Sequence, residues 1–226
     1  MARFKPQKAL IIGASGGIGA ALVSQLRADA IEVTSLSRRI DGFDVTDEAS
    51  VAGFASNFNA EFDLICVATG GLMADQHPPE KRLAAMTSAA MADHFALNAL
   101  GPALCLKYFS PKLPKSKPSC FGVLTAKIGS ITDNKLGGWI SYRAAKAAAN
   151  QVVRTSAIEL TRTRPMAALI ALHPGTVATE MTKDYVKTNP ARDPSVAAQD
   201  LISVMTRVTA KDTGKFFAYD GSQLPW

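Results

Sequence analysis

The chain has 226 residues, 47% of them hydrophobic and 19% charged, with three cysteines and a formal net charge of +6. That size and balance suit one globular domain with a sizeable core, and no apolar run approaches the ~18 residues of a membrane span. The positive charge is spread along the chain without a basic run or interleaved aromatics, so a phosphorylated ligand is expected and nucleic acid and membrane are not.

The segment from Met1 to Pro6 leads straight into a strand and has no signal-peptide core. Cys66, Cys105 and Cys120 are widely spaced in apolar stretches. Reduced, buried thiols and a cytoplasmic location are expected. No Cys or His spacing points to a metal.

Lys8 to Ile12 is a short apolar run that stops at Gly13, as for a strand buried on both faces. Gly13-Ala14-Ser15-Gly16-Gly17-Ile18-Gly19 follows, then the helical run Ala20 to Ala28. A strand, a glycine turn and a helix make a phosphate cradle. Backbone N–H groups and the positive helix end meet a pyrophosphate, and glycines let it approach. Gly13, Ser15, Gly17, Ile18 and Gly19 are therefore candidate dinucleotide contacts.

Ile31 to Leu36 is expected as the second strand. In a dinucleotide fold its end meets the adenosine ribose, where an acid favours NAD and an Arg accommodates a 2′-phosphate. Ser35, Ser37, Arg38 and Arg39 occupy that place, with Arg38 lying 19 residues after Gly19. Ser37 and Arg38 are candidate phosphate contacts, no acid is expected there, and NADP(H) is expected over NAD(H).

Asp44 to Asp47 reads as the end of a short third strand and the cap of a helix over about Asp47–Asn59, with Thr46 or Asp47 as N-cap. Asp63 to Val67 is the fourth strand, ending in Ala68-Thr69-Gly70-Gly71, where backbone can approach a cofactor. Asp75 to Glu80 is a proline-containing loop in which His77 is expected to be solvated. A helix over about Thr87–Phe109 carries Asn98 with Gly101-Pro102 just after it, which predicts a local distortion; His94 is expected to be structural. Ser119 to Leu124 is the fifth strand, and Thr125-Ala126-Lys127-Ile128-Gly129-Ser130 leaves it.

An Ala-rich helix with no internal Gly or Pro is predicted over Trp139–Arg162, preceded by Gly137-Gly138. Ala167 to Leu172 is the sixth strand, and His173-Pro174-Gly175-Thr176-Val177-Ala178-Thr179 leaves it. Helical stretches over about Glu180–Lys187 and Pro194–Val208 precede a last strand, Lys215 to Tyr219. The alternation predicts an α/β chain: a single domain over 1–226 with a Rossmann-type, doubly wound parallel sheet of about seven strands and helices on both faces. Ligands should sit at the carboxyl ends of the strands.

The chemistry is expected at Ser141 to Lys146. On a helix, Tyr142, Lys146, Ala149, Val153, Ala157 and Leu160 form one stripe, mostly apolar and facing the core. A phenol and an ammonium on that face need partners or a job. Four residues apart, they are neighbours. A free phenol, with a pKa of about 10, is too weak an acid for proton transfer near neutral pH. A unit cation ~5 Å away at an effective dielectric of ~20 is worth roughly 3 kcal/mol, or about two pKa units. Lys146 is therefore expected to bring Tyr142 toward the working range.

Together these motifs resemble the short-chain dehydrogenase/reductase family, from Lys8 to about Thr179. The turn through Gly19 matches the family's T-G-x-x-x-G-x-G. Asp44, beside Val45, matches its adenine-contacting Asp, and Asn98 its helix Asn. Tyr142 and Lys146 match its Tyr-x-x-x-Lys, and Pro174-Gly175 its Pro-Gly after the sixth strand. The Gly129-Ser130-Ile131 run continuing through Asp133-Asn134 to Gly137-Gly138-Trp139, and the ending Gly221 to Trp226, resemble the C-factor-like (cell–cell signalling protein) branch.

The resemblance implies an NADP(H)-dependent oxidoreductase that passes hydride between the nicotinamide and a small carbonyl or alcohol substrate, working as a homodimer or homotetramer. Tyr142 would donate the proton in reduction. Lys146 would hold the ribose hydroxyls and lower the pKa of Tyr142, and Asn98 would prop a water in the proton relay. Asp44, Val45, Ala68, Thr69, Gly70, Pro174 and Gly175 would line the cofactor, with Val177 and Thr179 flanking its carboxamide and phosphates.

Two departures stand out. Val67-Ala68-Thr69-Gly70 replaces the family's Asn-Asn-Ala-Gly, and Ala126 stands three residues before Gly129, where the family has its catalytic serine. Ser130, 12 residues before Tyr142, is the favoured replacement, because strand alternation turns Thr125 away if residue 126 faces the pocket. The missing serine supports an alternative, an NADP(H)-binding signalling or regulatory protein with vestigial chemistry. The retained Tyr142, Lys146 and Asn98 oppose it.

Overall fold

The computed structural model describes residues 4–184 and 190–226. Among them, β1 (Lys8–Ile12), β2 (Glu32–Leu36), β3 (Leu64–Val67), β4 (Ser119–Leu124), β5 (Ala167–His173) and β6 (Phe216–Ala218) form one sheet in the order β2-β1-β3-β4-β5-β6. Every pairing is parallel. The connections carry α1 (Gly17–Ala28), α2 (Arg38–Asp41), α3 (Glu48–Ser56), α4 (Ser88–Phe95), α5 (Gly101–Phe109), α6 (Ile140–Thr163) and α7 (Pro194–Arg207). No helix among the described residues is long and apolar enough to cross a membrane.

The strand sequences explain the layering. β3 and β4 are buried at every position, as uninterrupted apolar runs in a parallel sheet require. Alternation then divides the side chains. Leu10, Ile12, Ile65, Val67, Phe121, Val123 and Leu169 pack on the side of α3, α5 and α6. Ala9, Ile11, Leu64, Cys66, Cys120 and Ile170 pack on the side of α1 and α7. The three cysteines are free and buried. Because β2 and β3 lie on opposite sides of β1, the chain reverses its progression there, and a crevice opens at the strands' carboxyl ends.

The sheet has six strands rather than seven. The third strand expected before Asp44 is not among the described residues. Instead α2 turns the chain after β2, Gly42 takes a φ of +73°, and Phe43 drives into the core against Phe54 and Phe109. A chain that dives inward so soon leaves no extended stretch to pair with β2. Asp47, one of the two candidates, caps α3, its Oδ1 accepting the Ala49 N–H at 3.0 Å. Of the helix expected over Glu180–Lys187, residues 180–184 form turns and 185–187 lie outside the described residues.

The expected distortion near Asn98 is a π-helical turn, Ala96–Leu100, inserted between α4 and α5. The Gly101 N–H bonds the Ala96 carbonyl five residues back. Pro102 has no N–H to offer the Asn98 carbonyl, so the regular ladder is interrupted where the turn is needed.

Phe109 is fully buried, with the rings of Phe43 and Phe58 at 6.1 and 6.3 Å. Phe109→Ala should cost about 3–5 kcal/mol. In a urea titration the midpoint should fall with an unchanged slope. A loss below about 1 kcal/mol would show that this aromatic cluster collapses without cost.

Candidate active site

The glycine turn leads directly into α1, whose N-cap residue, Gly16, makes no side-chain cap bond. The first N–H groups of α1 therefore receive no side-chain cap, the condition in which a helix N-terminus can take an anion. The packing there leaves no room for side chains. A Cβ on Gly19 would stand 2.2 Å from the Gly13 carbonyl oxygen, and one on Gly17 would stand 2.5 Å from Cγ2 of Thr179. Gly13 has a φ of +91°, and a Cβ there would meet the Ala68 backbone at 2.8 Å. Ser15 is half-buried beside them, and Ile18 lines the crevice.

At the end of β2, Arg38 and Arg39 are exposed, as a phosphate-binding pair would be. An acid stands here after all. The single turn of α2 brings Asp41 back to Ser37, and its Oδ2 accepts the Ser37 N–H at 2.7 Å and the Ser37 hydroxyl at 3.1 Å. Asp44 is held below the usual carboxylate range, first by the Thr46 N–H, with the Arg38 charge adding to it. Val45 is turned into the core, where its Cγ2 would meet a Cβ on Gly101 at 2.9 Å.

A cleft of about 490 Å³ runs along the carboxyl ends of β3, β4 and β5. Its walls include Ala68, Thr69, Gly70, Tyr142, Lys146, Pro174, Gly175, Val177 and Thr179. Tyr142 is 5% exposed and Lys146 3%. Lys146 Nζ lies 5.8 Å from the phenol ring centroid and donates to the Leu124 carbonyl at 3.4 Å. Gly70 takes a φ of +128°, which a side chain would strain, and a Cβ there would press on the tips of Lys146 and Asn98, 2.9 Å from Nζ and 2.8 Å from Oδ1. Asn98 is fully buried and spends its amide on Gly71, accepting the N–H at 3.0 Å and donating to the carbonyl at 3.1 Å. The π turn thus clamps the loop that follows β3.

The expected lowering of Tyr142 by Lys146 is not found. Burial pushes the Tyr142 phenol above its ordinary value and pulls the Lys146 ammonium down to about 8. Removing water from both groups outweighs the attraction at this separation. His94 is fully buried, its ring centroid 6.0 Å from that of Tyr142 in an edge-on arrangement, in keeping with a structural role. His77 pairs with Asp93 at 2.7 Å rather than standing free in solvent.

The hydroxyls separate. Ser130 is buried but does not line the cleft; its Oγ accepts the Asp133 N–H at 3.1 Å within a turn. Thr125 does line the cleft, and its buried Oγ1 has no hydrogen-bond partner. Strand alternation does not decide between residues 125 and 126, because β4 ends at Leu124 and both Thr125 and Ala126 border the cleft. Sequence reasoning also passed over His173, whose buried Nδ1 is unpartnered in the cleft wall, and Trp139, whose ring packs edge-on against Tyr142 at 6.1 Å. The position of His173 at the carboxyl end of a strand was the available signal.

A family model described as Enoyl-(Acyl carrier protein) reductase matches residues 17–223. The 1-hydroxy-2-glutathionyl-2-methyl-3-butene dehydrogenase of Rhodococcus sp. (strain AD45) is 28% identical over 232 residues, covering 96% of this chain and 98% of that protein. C-signal of Myxococcus xanthus is 34% identical over 137 residues, covering 60% of this chain and 78% of that protein. Among solved structures, NADPH-bound carbonyl reductase from chicken fatty liver superposes with a TM-score of 0.85 at 22% identity, over 99% of this chain and 100% of that chain. At that identity the likeness is one of fold.

The buried ammonium makes stability depend on pH. Lys146 is lowered from 10.5 to about 8, so between those values the unfolded chain holds a proton that the native chain has lost. Stability contributed by this site therefore rises with pH through that window, by up to about 3 kcal/mol. Lys146→Met should remove the rise. The variant should exceed the wild type in unfolding free energy at pH 7, and the gap should close toward pH 10. A gap independent of pH would show that Lys146 is hydrated.

Proposed function

This chain belongs to the short-chain dehydrogenase/reductase family, in its C-factor-like branch, and from that premise we propose that it transfers hydride between NADP(H) and a small carbonyl or alcohol substrate. The observation that carries the proposal is the meeting of Tyr142, Lys146 and Thr125 in one cleft whose wall continues to Ile18 of the glycine turn.

The residues present fit the cofactor. The glycine turn, which side chains cannot enter, would take the pyrophosphate through Gly13, Ser15, Gly17, Ile18 and Gly19. The exposed Arg38 would meet the 2′-phosphate and Asp44 the adenine, whereas the Ser37 N–H and hydroxyl are taken by Asp41 and the Val45 side chain is turned into the core. Ala68, Thr69, Gly70, Pro174, Gly175, Val177 and Thr179 would border the nicotinamide half. When bound, the cofactor supplies the hydride, at nicotinamide C4.

The chain supplies a proton and a place. The Tyr142 phenol donates a proton to the carbonyl oxygen gaining negative charge, and burial, which raises its pKa, works against that step. The Lys146 ammonium, on the same helix face, compensates the phenolate left behind. Thr125 takes the part expected of Ser130: its unpartnered hydroxyl donates a hydrogen bond to the carbonyl oxygen and stabilises the developing charge. Asn98, through Gly71, holds the loop after β3, whose Gly70 lies beside Lys146.

A second reading, an NADP(H)-binding signalling or regulatory protein, is favoured by one observation: Ala126 puts a methyl group where a serine is expected. The two readings separate on turnover. NADPH oxidation should be detected with members of a broad carbonyl panel. Tyr142→Phe should abolish it while the Kd for NADPH stays within about twofold, since only the proton donor is removed. Near-native kcat in that variant would refute the acid assignment.

Two further substitutions test the finer assignments. Thr125→Val should lower kcat by ~10²–10³, whereas Ser130→Ala should leave it near native. The opposite ordering would return the role to Ser130. Arg38→Ala should weaken NADPH by about 10–100-fold and NADH far less, the loss of one charge-assisted contact. Equal losses in a binding titration would make Arg38 an ordinary loop residue.

A further inference from the structure

The long helix that carries Tyr142 has no cap of its own. α6 runs for 24 residues, and its N-cap residue, Trp139, sits at φ +54° with no side-chain cap bond. The first N–H groups of a helix need acceptors from elsewhere. Here they find one 61 residues away: Glu80 Oε2 accepts the Ser141 N–H at 3.1 Å. The other carboxylate oxygen accepts the Ser141 hydroxyl, and the Glu80 backbone carbonyl accepts the Trp139 N–H at 2.5 Å.

We infer that Glu80 is a positioning residue for Tyr142, its carboxylate capping α6 from the loop opposite and fixing where the phenol stands in the cleft. The inference rests on the reductase proposal, since it gives the position of the phenol its importance. Glu80 is 7% exposed, and a carboxylate so placed is costly unless hydrogen bonds compensate it. Burial works against its charge, yet the Ser141 hydroxyl and N–H hold it below the usual carboxylate range.

The two residues Glu80 grips both lie just N-terminal to Tyr142. Ser141 precedes the tyrosine directly, and Trp139 packs its ring on the phenol. Arg143, on the other side, donates to the carbonyls of Ile128, Gly137 and Gly138. Tyr142 is thus set between one anchor to the 72–86 loop and another to the 128–138 loop. The first of these loops also lines the cleft through Leu72, so the cap ties the phenol to a wall of the pocket. A side-chain N-cap within the helix's own sequence would satisfy its N–H groups but would make no such tie.

The test compares Glu80→Ala, Glu80→Gln and Ser141→Ala in the full chain by kcat, by the Kd for NADPH, and by amide hydrogen exchange over 139–147. Glu80→Ala should lower kcat by about 10–100-fold, the effect of a small misplacement of a reacting group. The Kd for NADPH should stay within about twofold, and exchange in the first turn of α6 should speed up. Glu80→Gln keeps an acceptor for the Ser141 N–H and should recover most of the rate. Ser141→Ala deletes only the hydroxyl arm and should fall between; if Glu80→Ala does not fold, it gives the same comparison. Unchanged exchange in Glu80→Ala, or a rate loss that Gln does not rescue, would overturn the inference. A wild type inactive on every carbonyl would instead sink the reductase proposal, and the exchange result alone would then decide the cap.

Discussion

A phenol and an ammonium buried together on one helix face set the terms for everything around them. Neither group is at ease there: burial alone moves Tyr142 up and Lys146 down. The surrounding structure is shaped to hold them regardless. Gly70 is bare at a φ of +128°, with the Lys146 Nζ 2.9 Å from where a Cβ would stand, and Gly129 is bare because one would lie 2.7 Å from the Lys146 backbone. The Leu124 carbonyl, at the very end of β4, is the acceptor the ammonium finds. A desolvated pair of this kind is expensive in stability, and sites of chemistry are where folds tolerate that expense.

The sheet makes the arrangement possible. Parallel strands deliver all their carboxyl ends to one edge, so β3, β4 and β5 each contribute a wall to one cleft. The reversal at β1 places the glycine turn beside that cleft. The π turn at Ala96–Leu100 then brings Asn98 to Gly71, a reach that a regular helix of the same length would direct elsewhere. Catalytic candidates from strand ends and helices far apart in sequence meet because these backbone devices agree.

Much of this was legible before any coordinates. The five strands from Lys8 to Leu172 that the sheet contains, the glycine turn and the buried stripe of α6 follow from hydrophobic period and punctuation, which act locally. The distortion at Asn98 followed from Gly101-Pro102 for the same reason. What was not legible depends on distance. The lost third strand turns on Phe43 finding Phe54 and Phe109 in the core. The place of Ser130 turns on a bond to Asp133, and that of Thr125 on where β4 stops. The direction of the Tyr142 shift is a contest between burial and a charge whose separation no sequence states. Glu80 looked like one more loop residue because its partner lies 61 positions away.

The central claim is that the cleft carries out hydride transfer rather than merely binding a dinucleotide. Isotope transfer tests it most directly. NADPH carrying deuterium at the nicotinamide C4 would be incubated with the protein and a carbonyl panel, and the products examined by mass spectrometry. The account predicts deuterium on the carbinol carbon of at least one product, in proportion to the NADPH consumed. Saturable NADPH binding with no label transferred to any carbonyl would contradict it.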